Sequence, residues 1–194
     1  FCMFLKFIVN YLFFSSAPKV SISIEKSLLK DAGGKRFDPK KLSDKSVLHC
    51  WDPASMEDLG EMKPLTAEQV AIEIEKARKA QEQWSSSSFD QRRLLLRTFL
   101  RCIVENQSSI AAVACRDSGK TRVDAMLGEI LVTLEKIRWV IAEGEQHLKP
   151  EYRSSGLMNL HKTSRVEFRP VGVVGAIVPW NYPFHNVFNP IISA

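Results

Sequence analysis

Arg169-Pro170-Val171-Gly172-Val173-Val174-Gly175-Ala176-Ile177-Val178-Pro179-Trp180-Asn181-Tyr182-Pro183 is the stretch that decides the fold. From Val171 to Val178 it is apolar without alternation, the pattern of a strand covered on both faces in the middle of a parallel sheet. Pro179 to Pro183 must leave that strand as a turn. Open α/β sheets place their ligands at the carboxyl edge of such strands. Pro183 suits the first turn of a following helix, where Phe184, Val187, Phe188 and Ile191 recur at helical spacing. Gly172 and Gly175 remove side chains where a helix or ligand would approach the backbone, although the GxGxxG dinucleotide fingerprint is absent. Asn181, held between two prolines, offers an uncharged N–H donor suited to a developing oxyanion. Its alternative role is to cap the next helix.

Working back from this stretch, Leu157, Asn159 and His161 followed by Arg165 to Arg169 read as a polar-faced hairpin. Four helices are expected before it. Thr66 and Gln69 form a capping box for residues 66–84, whose Val70, Ile74, Ala77 and Trp84 share a face. Asp90 is placed as the cap of a second helix, with Leu94, Leu95, Phe99, Cys102 and Ile103 opposite a row of arginines. A third runs from about Ser109 to Arg116. The fourth spans about Val123 to Leu148, with Met126, Ile130, Leu134, Ile137 and Ile141 as its buried stripe. Val47 to Met62 reads as strand, turn and strand around Asp52-Pro53.

Gly119-Lys120-Thr121 ends like a phosphate-binding loop, but Ala114 stands where that loop needs glycine and no buried strand precedes it. Gly119 is better placed as a left-handed helix cap followed by Lys120 at the negative end of the helix dipole. The four cysteines contain no CxxC pair, and the histidines are too widely spaced for a short zinc signature. Cys115 has no base near it in sequence and reads as a small packed residue. A net charge of +5 comes from scattered Lys and Arg, a mixed-charge surface that points away from nucleic acid.

Residues 1–14 hold six aromatic residues and only Lys6 and Asn10 as polar interruptions. They read as the remnant of a hydrophobic membrane anchor. Residues 15–47 read as a polar linker and residues 48–194 as an incomplete domain. A chain that opens on Phe1 and stops in mid-pattern at Ala194 is expected to be a piece of a longer protein.

The stretch from Pro170 to Pro183 resembles the signature strand and loop of the NAD(P)-dependent aldehyde dehydrogenases, P-x-G-V-x-x-x-I-x-P-W-N-[FY]-P. The Asp52-Pro53-Ala54 turn and Asp117-Ser118-Gly119-Lys120 are similar to further family segments in the right order. With the hydrophobic leader and Ser164 to Phe168, the likeness is greatest to the membrane-anchored plant-type branch, family 22. This resemblance implies an α/β fold: a partial, Rossmann-type cofactor-binding domain with a helical amino-terminal portion, a hairpin and a first buried parallel strand. It implies NAD or NADP as cofactor and an aldehyde as substrate. Asn181 matches the amide that polarises the aldehyde oxygen; Val178, Pro179 and Trp180, with Asn181, match the cofactor-binding loop. The family's nucleophilic cysteine and general-base glutamate fall beyond Ala194, so these 194 residues alone are expected to be inactive. The hairpin at 157–168 matches the family's oligomerisation strands. Membrane association through residues 1–14, otherwise a cytoplasmic location, completes the expectation. The competing reading is a truncated, non-catalytic interaction or oligomerisation module.

Overall fold

The structure, a computed structural model, describes residues 17–22, 34–43 and 46–194. The amino-terminal anchor expected at residues 1–14 lies outside the described residues. Strands β1 (Leu48–Trp51) and β2 (Asp58–Met62) form the expected antiparallel pair. Asp52 organises the turn between them, its Oδ1 accepting the Ala54 N–H at 2.8 Å. Part of the stretch read as a linker is packed on this hairpin: Phe37 is buried, its ring stacked on Trp51 at 4.6 Å.

Helix α1 (Ala67–Ser85) carries the Thr66/Gln69 capping box as expected, but its apolar stripe is not buried. Val70, Ile74 and Trp84 remain exposed among the described residues. Helix α2 (Phe89–Ser118) replaces the two helices expected between Asp90 and Arg116. The polar run Glu105 to Ser108 contains no Gly or Pro, and Asn106 donates to the Cys102 carbonyl one turn back at 2.8 Å, so the helix continues through it. Ser88, not Asp90, is the N-cap, in a capping box with Gln91. Gly119 closes α2 in the left-handed conformation, φ 69°, as expected.

The fourth expected helix is continuous but not uniform. Helix α3 (Arg122–Ala125) passes into a π-helical turn (Met126–Leu131) and then α4 (Val132–Glu143), followed by a short 3-10 turn, Gln146–Leu148. Ile130 and Ile137 from its stripe join Leu100 and Ile103 of α2 and Ile192 of the last helix in the main core. Phe99, Phe184 and Phe188 border this cluster. A second cluster of Ala111, Ala114 and Ala125 lets α2 and α3 approach closely.

The hairpin expected at 157–168 is shifted. Its paired strands are β3 (Glu151–Arg153) and β4 (Ser164–Val166), while Leu157–Asn159 is a 3-10 turn in the connection. Residues 171–178 do not form the expected buried parallel strand. They are exposed and unpaired; both described sheets are antiparallel two-stranded pairs and neither includes them. An apolar run becomes a strand only where a neighbouring backbone completes its ladder, and here the helices pack on one another. The chain then enters α5 (Pro183–Ser193), with Pro183 in its first turn as expected.

Candidate active-site loop

The start of α5 is an anomaly that explains the site. Tyr182 occupies the N-cap position and supplies no capping side chain, so the N–H groups of the first turn need another acceptor. Glu129, from the π turn, reaches across and provides it. Its Oε2 accepts the N–H of Phe184 at 2.7 Å and of His185 at 3.3 Å. Its other oxygen, Oε1, accepts from Lys120 Nζ at 2.6 Å. Glu129 is fully buried, and burying a carboxylate is tolerable only with such complete pairing and the positive end of a helix dipole facing it.

Lys120 does more than neutralise Glu129. Its ammonium also donates to the Asn181 carbonyl at 2.7 Å and sits 3.9 Å from the centre of the Tyr182 ring. Gly128, which has no side chain, lies against the same ring; a Cβ there would fall 2.7 Å from Tyr182 Cε1. The loop is thus held at the Asn181 carbonyl, the Tyr182 ring and two amides of α5. Lys120 is itself placed by the Gly119 cap, which packs on the β1–β2 turn: a Cβ on Gly119 would lie 3.0 Å from Pro53 Cγ. Arg116 pairs with Glu57 at 3.2 Å across the same contact.

Asn181 is not a helix cap, so the alternative role for it is not the one observed. Asn186, one turn into α5, donates from Nδ2 to the Pro179 carbonyl at 3.2 Å and reaches Asn181 Oδ1 at 3.4 Å. Because a carbonyl can only accept, the Pro179 contact identifies the Asn186 group as the NH₂ and therefore the facing Asn181 atom as oxygen. The Asn181 Nδ2 has no acceptor among the described residues. Val178, Pro179, Trp180 and Asn181 all lie on one exposed stretch, with Trp180 74% exposed. Their apolar surfaces suit contact with a planar ring, whereas nothing in this segment offers a nest for phosphates.

Periodicity identified the helices but missed Glu129, Gly128 and Asn186. The one signal was the i, i+4 pair Glu129 and Thr133 beside an apolar stripe; both are fully buried, and Thr133 Oγ1 lies 3.0 Å from His185 Nδ1. Burial, reinforced by the charge of Lys136 and opposed by Glu129, pulls the His185 imidazole below its ordinary value. Burial likewise pushes the thiols of Cys50, Cys102 and Cys115 up, which disfavours the thiolate a nucleophile needs. Among the described residues no cluster of His, Cys, Asp or Glu could hold a metal ion, and no helix is long and apolar enough to cross a membrane.

The sequence model of the aldehyde dehydrogenase family matches residues 41–194. An aldehyde dehydrogenase-like protein of Schizosaccharomyces pombe is 46% identical over 149 residues, 77% of this chain and 28% of the relative. A methylmalonate-semialdehyde dehydrogenase of Sinorhizobium meliloti, solved with NAD, superposes with a TM-score of 0.65 at 27% identity over 82% of this chain and 32% of that one. A glyceraldehyde-3-phosphate dehydrogenase of Bacillus halodurans, solved with NADP, gives 0.62 at 27% identity over 74% of this chain and 30% of that one. The chain therefore spans about a third or less of the length of these proteins.

Proposed function

The chain belongs to the aldehyde dehydrogenase family, and from that premise we propose that it contributes the carbonyl-polarising loop of a longer enzyme that oxidises an aldehyde to a carboxylic acid. The orientation of Asn181 carries this reading. With its oxygen turned to Asn186 and its NH₂ without an acceptor among the described residues, the side chain can offer a donor to an oxygen gaining negative charge. A neutral amide is suited to this: it needs no proton transfer of its own and leaves no charge to be solvated before substrate binds.

The cofactor of this family is NAD or NADP, which when bound supplies the hydride acceptor. Val178, Pro179 and Trp180 would hold its nicotinamide end, and their exposed, uncharged surfaces fit that role. We assign the nucleophilic cysteine and the general base to other parts of the longer protein; burial pushes the three described thiols up, which disfavours a nucleophilic role for them.

Contact between copies is assigned to residues 157–168, which take in the hairpin connection and β4. Leu157, Met158 and Leu160 stand 87%, 90% and 77% exposed there, more apolar surface than a solvated turn needs. Residues 1–14 are assigned a membrane-associating role on their apolar and aromatic content alone. The catalytic assignment is tested in the full-length protein: Asn181→Ala should lower kcat about 10²–10³-fold, the usual effect of losing one oxyanion donor. An unchanged kcat would overturn it.

A further inference from the structure

We propose that Glu129 and Lys120 are positioning residues for the Asn181 donor, acting through the backbone of the loop and not on substrate. This rests on the assignment of Asn181 made above. The buried carboxylate divides its two oxygens: one holds the first turn of α5 through the N–H groups of Phe184 and His185, the other holds Lys120. Lys120 in turn grips the Asn181 carbonyl at 2.7 Å and covers the Tyr182 ring. These contacts fix the chain on both sides of the Tyr182–Pro183 step. The Asn181 side chain, one Cα away from the gripped peptide, inherits its direction from them.

The π turn makes the arrangement possible. An extra residue in the helical turn from Met126 to Leu131 brings Glu129 fully inside while Ile130 keeps its place in the core. Gly128 in the same turn makes the space for the Tyr182 ring. The turn thus carries both the carboxylate and the vacancy that the loop uses. Lys120, whose Gly-Lys-Thr context suggested phosphate binding, has its ammonium committed to three partners within the chain: Glu129, the Asn181 carbonyl and the Tyr182 ring.

The role is separated from simple structural support by its kinetic signature and by its dependence on Asn181. In the full-length enzyme Glu129→Gln keeps the side-chain volume but leaves an NH₂ facing either Lys120 or the α5 amides. A donor displaced by about 1 Å costs on the order of 10²-fold in rate. We expect kcat to fall about 10–10²-fold for this variant, with the aldehyde KM within about 2-fold of the parent. In an Asn181→Ala background the same substitution should change kcat by less than about 2-fold, because the group it positions is gone. Gly128→Ala, which displaces Tyr182 without removing either charged side chain, provides the second variant and should give the same pattern.

Failure of the parent full-length protein to oxidise any aldehyde with NAD or NADP would overturn the catalytic reading and this inference with it. An active parent in which both variants retain kcat, or lose as much with Asn181 absent as with it present, would overturn the positioning role alone.

Discussion

Replacing Glu129 by Leu should open the amino-terminal turn of α5, and the structure sets the size of the effect. The substitution leaves Lys120, whose side chain is only 10% exposed, without its counter-ion and strips the acceptor from two helix amides. Removing one member of a buried ion pair typically costs about 3–5 kcal/mol. Expressed as local opening, that is a fall of about 10²–10⁴-fold in hydrogen-exchange protection of the Phe184 and His185 amides. Lys120→Met should cost a similar amount, since it leaves the buried carboxylate without its counter-ion. The double variant Lys120→Met/Glu129→Leu removes both charges and leaves only unsatisfied neutral groups, worth about 1–3 kcal/mol. Its loss of protection should therefore be no greater than that of either single variant. Amide exchange followed by mass spectrometry over residues 180–190 reads all three. Strict additivity, or protection in Glu129→Leu within about 3-fold of the parent, would refute the claim that the pair holds the helix start.

Gly119→Ala tests the cap that places Lys120. The left-handed φ of 69° alone costs about 1–2 kcal/mol for a residue with a Cβ, and the 3.0 Å approach to Pro53 Cγ adds to it. Denaturant unfolding should show a loss at or above that range; a neutral substitution would mean that the turn does not pack on the cap. The environment of His185 predicts acid sensitivity. Its folded-state value is held below the ordinary 6.5, so the unfolded chain binds the proton first. This contribution to stability is complete above about pH 6.5, is lost as the pH falls toward the folded value and is constant below it. His185→Gln should flatten that part of the stability profile, and an unaltered slope between pH 7 and 5 would contradict it.

The helices were legible because their signals are local: Thr66 with Gln69, Gly119 as terminator and the Ile130–Ile137 stripe all act within a few turns. The loop's position in the sequence was legible for a different reason, since Pro179 and Pro183 punctuate it strongly. What holds it was not. Glu129 lies 55 residues from Phe184, and a local π turn, invisible to a 3.6-residue period, carries it inward. The strand expected over 171–178 failed on the same principle. An apolar run reports that a segment is suited to burial between layers, while the partner backbone that would make it a strand is set elsewhere. The break expected between Ile103 and Ser109 failed because polar residues without Gly or Pro weaken a helix too little to end it.

The central claim is that Asn181 donates an N–H to the oxygen of the substrate. The most direct measurement is the single-turnover rate of nicotinamide reduction by the full-length enzyme carrying Asn181→Asp, an isosteric change that removes the donor. Burdened with a negative charge at the same place, this variant should react no faster than Asn181→Ala, about 10²–10³-fold below the parent. A rate within a few-fold of the parent would contradict the claim, because the shape alone would then suffice.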